Sequence, residues 1–128
     1  MADMHTGSVP DLSERLVAGT TVVTLRGEID LLVAQALTER LDALTAGPCP
    51  DLVLDLSHMA FIDCAGLSVL CRARNRVTAR AGRLRLVSDD PGFLRLLRTV
   101  HLTSAFETQP HLPDALTAAP APTAATAG

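Results

Sequence analysis

The amino-acid sequence predicts a small single-domain α/β fold, in which a mixed β-sheet of about four to five strands carries about four helices. Two observations lead to this prediction. Segments typical of strands alternate along the chain with segments of helical periodicity, an order that packs helices against one sheet. The 128 residues are also 48% hydrophobic and 20% charged, a composition that supports one core of ordinary size.

Two strand candidates open the domain, over residues 12–18 and 20–26, with a tight turn at Gly19 between them. The second reads TTVVTLR, and its β-branched residues favour an extended backbone. An amphipathic helix is predicted next, with Asp30 as its N-cap and Gly47 near its end. Its apolar positions recur every three or four residues; they are Val33, Leu37, Leu41 and Leu44.

The middle of the chain predicts a buried strand, a loop and a second helix. Residues 51–56 read DLVLDL, a short apolar run typical of a central strand covered on both faces. Residues 57–63, SHMAFID, are interpreted as a loop that leads to a helix reaching about residue 81. The expected apolar side of that helix comprises Leu67, Leu70, Cys71, Val77 and Ala81.

The last third of the domain predicts a strand, a helix and two short elements. Residues 83–87, RLRLV, alternate as in a strand with one face in the core and one in water. Asp90 and Pro91 open a third helix through about Arg98, because proline suits the first helical position. Residues 105–108 and 113–118 predict a weak last strand and a final helical turn.

The domain is expected to span residues 12–117. Residues 1–11 are polar and predict a flexible arm, whereas residues 118–128, rich in Pro, Ala and Thr, predict a disordered tail. No apolar run is long enough to span a bilayer, and the first residues lack the pattern of a secretory signal. A cytoplasmic protein is therefore expected.

Charge and composition exclude several classes of protein. The net charge is −3, and all eleven basic residues are arginines. A dedicated nucleic-acid binder usually carries an excess of basic charge, and three phenylalanines leave little aromatic surface for stacking bases. The three cysteines form no C-x-x-C pair and the histidines are scattered, so neither a metal site nor a cofactor is expected, and the thiols should be reduced.

The turn before the second helix, residues 61–67, is the most informative segment. A helix N-terminus beyond the carboxyl end of a strand suits an anion or a partner, because its backbone N–H groups are unpaired. Asp63 can cap the helix, and Gly66 allows close approach to the backbone. A simple capped turn explains the same residues, and on local pattern alone it is the commoner explanation.

Three segments together resemble the STAS domain, which sulfate transporters and anti-sigma factor antagonists share. They are VVTLRGEIDLLVAQAL, DLVLDLSHMAFIDCAGLSVLCRAR and GRLRLVSDDPGFLRLLRTVHLTSAFET. The resemblance covers roughly Leu12 to Leu116. Its most specific parts are the Gly-Glu-Ile-Asp run at 27–30 and the Asp-x-x-Gly-Leu turn at 63–67. Without a transmembrane part, the chain resembles a free-standing anti-sigma factor antagonist.

The resemblance implies a regulator rather than an enzyme. Such an antagonist binds an anti-sigma factor of kinase-like ATP-binding fold and so frees the sigma factor. The kinase can reverse binding by phosphorylating a Ser or Thr directly after the turn Asp, which adds about −1.5 to −2 charge beside a carboxylate. The expected partner-binding surface comprises Gly27, Glu28, Ile29, Asp30, Phe61, Asp63, Cys64, Ala65, Gly66, Leu67, Ser68 and Arg72.

This sequence departs from the family pattern at the phosphoacceptor. Cys64 occupies that position, and Ala65 follows where the family often has Ser. A thiol is a poor substitute acceptor, because its larger sulfur misplaces the attacking atom in a reaction that relies on positioning. We therefore expect no phosphorylation switch at this turn. Ser68 is out of register and is interpreted as an ordinary residue of the helix surface.

Two other functions are compatible with the sequence. One is a STAS subunit of a membrane transport complex, docked on a cytoplasmic ATPase. The other is a thiol-based sensor or nucleophile at Cys64, since a helix N-terminus can lower the pKa of a thiol. The Asp63 carboxylate opposes that effect, and only His58 or His101 could approach as a base.

Charged side chains near the turn have two interpretations. Glu28 and Asp30 fit a turn residue and an N-cap, and recognition explains them better than acid–base catalysis. Arg72, Arg76 and Arg80 share one helix stripe. The simpler interpretation of this stripe is a helix face exposed to solvent. The more specific interpretation is a contact with an acidic partner. Arg74 is expected to lay its stem along the sheet edge with its head in solvent.

Overall fold

The fold is a five-stranded mixed sheet with three helices in the residues that the computed structural model describes, 12–29, 31–62, 64–113 and 116. The strands follow one another across the sheet in chain order. β1 is antiparallel to β2, and every later neighbour is parallel. The elements are β1 Leu12–Val17, β2 Thr20–Ile29, α1 Leu31–Leu44, β3 Asp51–Ile62, α2 Cys64–Ala79, β4 Arg83–Val87, α3 Pro91–Thr99 and β5 Glu107–Gln109.

These elements confirm the predicted α/β class and mixed sheet. Three of the about four expected helices lie in the part of the chain that the structure describes. The fourth prediction, a turn over 113–118, falls mostly outside the described residues, as do the predicted arm 1–11, the tail 118–128 and the Asp30 cap. Asp90 caps α3 as predicted, because its carboxylate accepts a hydrogen bond from the Phe93 backbone N–H at 2.8 Å.

One face of the sheet packs against the three helices. Alternate residues of the central strands point to this side, as the pleat of a strand requires, and Leu54 and Leu86 are fully buried there. The predicted α1 stripe contributes Leu37 and Leu41, which are also buried. β3 lies third of the five strands, so its prediction as a central strand is confirmed. The main core therefore forms between this face and the helices.

The opposite face is also covered, and this corrects the interpretation of β4. Val22, Val53 and Val87 form a second cluster with Leu116, whose carbonyl oxygen accepts a hydrogen bond from Arg15 Nη2 at 2.5 Å. The alternation of residues 83–87 placed Arg85 in water, but this side chain is buried. The chain returns across the face after β5 and excludes water, which the pattern of one strand does not report.

Burial of Arg85 is compensated by an ion pair on the same face. Its Nη2 lies 3.2 Å from Asp51 Oδ1, and the other oxygen of Asp51 accepts from the Thr20 hydroxyl at 2.8 Å. A charge taken out of water needs such a partner, because its desolvation is costly. The second face is thus a mixed polar and apolar layer.

The segment SHMAFID, interpreted as a loop, is strand as far as residue 62. β3 runs through Ile62 because β2 continues beside it through Ile29 and supplies the backbone pairing. The register shifts twice, between residues 24 and 26 and between 27 and 28. Such irregularities bend and twist a strand pair. The loop prediction was wrong because the partner strand is distant in sequence.

The remaining boundaries differ by a few residues. Ala18 belongs to the turn with Gly19 rather than to β1, and both have positive φ. Ala81 lies beyond the end of α2 and is exposed, so it is not part of the apolar side. The last strand is β5 at 107–109, because residues 103–105 form a 3₁₀ turn instead.

Candidate functional site

Residues of the two sequence motifs meet at the carboxyl ends of β2 and β3. The extended ends of β2 and β3 pair in parallel, with Glu28 beside Phe61 and Ile29 beside Ile62. α2 begins at Cys64, directly after β3. Carboxyl ends of parallel strands and the helix that follows them are where open α/β sheets place binding sites. The described residues of the 27–30 motif and of the 61–67 turn thus lie side by side, although 30 residues separate the two segments in sequence.

Gly27 has a structural reason to be glycine. Its φ is +81°, a left-handed conformation that a residue with a Cβ rarely adopts. The second register shift of the β2–β3 pair follows directly after it. Gly27 therefore lets β2 bend and continue, and the Glu28 side chain that follows is exposed to solvent.

The first turns of α2 combine an anchored side with an exposed one. Leu67 is buried and belongs to the main core. Gly66 is buried and Ala65 is half-buried, whereas Ser68 is exposed. The start of α2 is therefore anchored to the core by Leu67, and it exposes Ser68 to solvent. Asp63 lies outside the described residues, and its predicted role as a cap stays a prediction.

Arg72 joins α2 to α1 rather than standing free in solvent. Its Nε and Nη2 donate to the two carboxylate oxygens of Asp42 at 2.9 and 2.8 Å. Arg76 reaches the same place, with Nε 2.9 Å from Thr45 Oγ1 and Nη2 2.9 Å from the Asp42 carbonyl oxygen. The interpretation of the stripe as a solvated face therefore needs correction, because two of its three arginines bind α1.

This contact also revises what Arg72 can contribute to a partner. The side chain remains 54% exposed, so a partner can reach it, but its guanidinium is already oriented by Asp42. Sequence reasoning missed Asp42 altogether. Its only signal is a position on the polar side of α1, and nothing in the sequence indicates which of the arginines it meets.

The Arg72 guanidinium holds the pKa of the Asp42 carboxyl below its ordinary value. It does so first through the hydrogen bonds that it donates and then through its charge. A lowered pKa in the folded state stabilises the fold above the unfolded value of about 3.9, and this contribution is lost as the pH falls through the folded value. Arg83 acts in the same way on Glu107, between β4 and β5.

We expect Asp42→Asn to melt below the wild type at about pH 6 and to converge with it as the pH falls toward about 3. Because the pair is at the surface, the largest difference should be about a few degrees. Thermal melts across this pH range measure it. Asp89→Asn, which removes an exposed carboxylate without an ion pair in the described chain, is the control. If the difference in melting temperature between Asp42→Asn and the wild type stayed constant with pH, the stabilising role given to the Arg72–Asp42 ion pair would be contradicted.

Arg74 is held by the backbone, contrary to the expectation of a solvated head. Its Nε donates to the Ala105 carbonyl oxygen at 2.7 Å, and its Nη1 to Asn75 Oδ1 at 3.2 Å. The carbonyl lies in the 3₁₀ turn before β5. Arg74 therefore fixes that turn against α2.

The described histidines and cysteines that could bind a metal or act in thiol chemistry do not form a cluster. Among the described residues, no group of three or more His, Cys, Asp and Glu side chains is placed to hold a metal ion. Cys49 and Cys71 are free thiols, the first exposed and the second half-buried. His58 and His101 are both exposed. Within the residues that the structure describes, no helix has the length and apolar character needed to cross a membrane.

The fold is shared with proteins named as anti-sigma factor antagonists. The STAS domain family profile matches residues 13–115. The anti-sigma-F factor antagonist RsfB of Mycobacterium tuberculosis is 31% identical over 113 residues, covering 86% of this chain and 92% of that protein. The crystal structure of an anti-sigma factor antagonist from Mycobacterium paratuberculosis has a TM-score of 0.72 at 32% identity, covering 85% of this chain and 95% of the other.

A more distant structure has the same fold. It is the Bacillus cell fate determinant SpoIIAA in its phosphorylated form, with a TM-score of 0.63 at 18% identity, covering 77% of this chain and 90% of the other. The profile match extends over both motifs that form the site, from β1 to the segment that crosses the second face. This chain belongs to the STAS domain family.

Proposed function

We propose that this protein is an anti-sigma factor antagonist, which binds an anti-sigma factor of kinase-like fold and thereby releases a sigma factor. The observation that carries the proposal is the junction of the 27–30 and 61–67 motifs at one edge of the sheet. Relatives that are about one-third identical and named as anti-sigma factor antagonists support it.

The partner-binding surface is suited to recognition. The helix of this surface is anchored because Leu67 lies in the core, and its strands are anchored because β2 and β3 pair along their extended ends. A rigid surface binds with a smaller loss of conformational entropy than a mobile one. It also presents side chains to a partner, among them Glu28 and Ser68, which are both exposed. The function proposed is therefore protein binding without catalysis.

The two motifs of this surface are rich in acidic residues. Glu28, Asp30 and Asp63 belong to its two motifs, and no arginine lies within either one. A partner with basic or N–H groups facing this edge would be steered and oriented by that charge. The same carboxylates make a further phosphate unfavourable, which is the physical basis of release in the family mechanism.

Cys64 is proposed to remove the phosphorylation switch. The relative solved in its phosphorylated form supports the view that a protein of this fold can carry a phosphoryl group. In the present chain the residue after the turn Asp is a thiol, at the first position of α2. Binding would then depend on the abundance of the two proteins, and not on their phosphorylation state. We further propose a cytoplasmic location and a domain spanning residues 12–117.

The proposal is tested by mixing the full chain with purified anti-sigma factors of kinase-like fold from the same genome, in the presence of Mg-ATP and their sigma factors. Calorimetry, gel filtration and intact mass measure the outcome. We expect one complex to form, its sigma factor to be displaced and the mass of this protein to stay unchanged. Failure to bind any candidate would refute the function, and co-purification with a transporter component would favour the transport-complex alternative. A phosphorylated wild type would refute only the role given to Cys64.

A further inference from the structure

We propose that a groove between α2 and the segment after α3 binds an acidic, apolar-tipped segment of the anti-sigma factor. We call it the α2 groove; its volume is about 650 Å³. The inference rests on the proposed function and adds a second contact to the partner-binding surface. The apolar residues of the groove are Leu67, Cys71, Val100 and Leu102.

Val100 is the clearest sign that the α2 groove has an exposed apolar surface. Among the described residues it is one of two large hydrophobic side chains that are exposed, at 42%, and the other is Leu16. Single exposed apolar residues are ordinary. Val100 differs because it lies at a concave site together with other apolar side chains, and concave apolar surface is what a partner side chain can fill.

The segment that carries Val100 is held firmly. The Val100 N–H donates to the Leu96 carbonyl oxygen at 3.1 Å, and the Leu102 N–H donates to the Leu97 carbonyl oxygen at 2.8 Å. Leu97 is itself buried in the core. The lip of the groove is therefore preorganised, and binding there costs little ordering of the chain.

The charge of the α2 groove indicates an acidic occupant. Arg72 and Arg76 line it, and none of the carboxylates in the described residues does. Asp42 of α1 binds both arginines from outside, which leaves two positive charges opposed by one negative. Asp42 also holds the guanidiniums in position, so a carboxylate of the partner would meet donors that are already oriented.

The α2 groove continues directly from the partner-binding surface. Leu67, Ser68 and Arg72 belong to both. The groove extends along α2 as far as Asn75 and Arg76. From Ser68 to Asn75 is about two helical turns, or roughly 10 Å along the axis. One protein can therefore cover the negative edge and the positive groove at once. Two adjacent patches of opposite charge fix the orientation of a partner, because the reversed pose would place like charges together.

The test measures the affinity and association rate of groove variants for the anti-sigma factor that binds the wild-type chain. Val100→Asp introduces a carboxylate at the groove, and Leu16→Asp makes the same change at the other exposed hydrophobic residue, on β1. We expect Val100→Asp to weaken binding about tenfold or more and Leu16→Asp to leave it within about twofold. Circular dichroism and gel filtration confirm that each variant is folded.

A pair of opposite substitutions at Asn75 tests the sign of the charge. Asn75 is exposed and lines the groove. Asn75→Arg should speed association and Asn75→Asp should slow it, each by about two- to fivefold at low salt, and both effects should shrink at high salt. The two variants share the loss of the amide and differ in charge and in length. The salt dependence of the association rate isolates the effect of the charge.

The outcomes of these experiments distinguish a failure of the groove proposal from a failure of the proposed function. If the wild type binds no anti-sigma factor, both proposals fall. If it binds and Val100→Asp binds equally well, the α2 groove is not a contact, whereas the proposed function stands. If Asn75→Arg slows association, the occupant is not acidic. If Val100→Asp instead dissociates a homodimer in gel filtration without weakening the anti-sigma complex, the occupant is a second copy of this chain and the inference is overturned.

Discussion

On the function proposed above, Cys64→Ser is expected to turn an antagonist that is not phosphorylated at this turn into one that a kinase-like anti-sigma factor can phosphorylate. The substitution places a hydroxyl directly after the turn Asp, at the first position of α2. Phosphoryl transfer depends on positioning of the attacking oxygen more than on its chemistry. The rest of the family motif, from Asp63 to Leu67, is already present. A change from no detectable phosphate to one phosphoryl group per chain is therefore expected.

The measurement is intact mass after incubation with the anti-sigma factor and Mg-ATP, followed by peptide mapping. Cys64→Ala is the matched control, because it also removes the thiol but supplies no acceptor. Ser68 is present in the wild type and in both variants, so it reports phosphorylation out of register. Phosphate on Cys64→Ala or on the wild type would show that the acceptor lies elsewhere. A folded Cys64→Ser variant that binds without being phosphorylated would show that the thiol is not what prevents the reaction.

Phosphorylation of the Cys64→Ser variant should also abolish its binding. The added group brings about −1.5 to −2 charge to an edge whose motifs already contain Glu28, Asp30 and Asp63. Repulsion between the phosphate and these carboxylates grows when binding excludes water, and the phosphate would need to be desolvated in the interface. We expect the phosphorylated form to release the anti-sigma factor, while the unphosphorylated form binds as the wild type does.

The helices and the central strand could be predicted because their signals are local. The α1 stripe repeats at helical spacing and is buried at Leu37 and Leu41. Asp90 and Pro91 mark the start of α3 by the chemistry of a cap and of a proline ring. In each case one element carries its own evidence, so no knowledge of the neighbouring elements is needed.

The errors arose where the evidence lies on a second, distant segment. The extension of β3 to Ile62 depends on β2, whose continuation through Gly27 requires a positive φ. Arg85 is buried because the chain crosses the second face near Leu116. Arg72 is held by a carboxylate 30 residues away. Pairing, coverage and charge compensation are tertiary facts, and a periodic pattern within one strand or helix cannot report them.

The candidate site was predictable in part for the same reason. The two motifs were recognised separately in the sequence, and the parallel pairing of β2 with β3 then brings them together. The α2 groove had no counterpart in the sequence analysis. Its lining comes from α2 and from the connection after α3, and Val100 looked like one of many apolar residues in that half of the chain. Only the fold brings these surfaces next to the turn.

The second large effect is expected for Glu28→Arg, which reverses a charge at the edge where the two motifs meet. Glu28 is exposed and lies beside the Phe61 backbone, so the fold should tolerate the change. A partner selected for a negative edge would meet a positive side chain instead, and like charges placed opposite each other across an interface cost several kcal/mol. We expect binding to the anti-sigma factor to weaken by about tenfold or more, which corresponds to about 1.4 kcal/mol.

Glu39→Arg is the matched control for this prediction. Glu39 is an exposed residue of α1 outside the two motifs, and its substitution changes the net charge by the same amount. Long-range attraction depends on the total charge and would affect both variants alike, whereas a contact at the edge affects only Glu28→Arg. Titration calorimetry at two salt concentrations separates these contributions, because screening removes the long-range part first. Equal affinities of the two variants at both salt concentrations would mean that the partner does not contact Glu28. In that case the partner-binding surface would have to be sought further along α2.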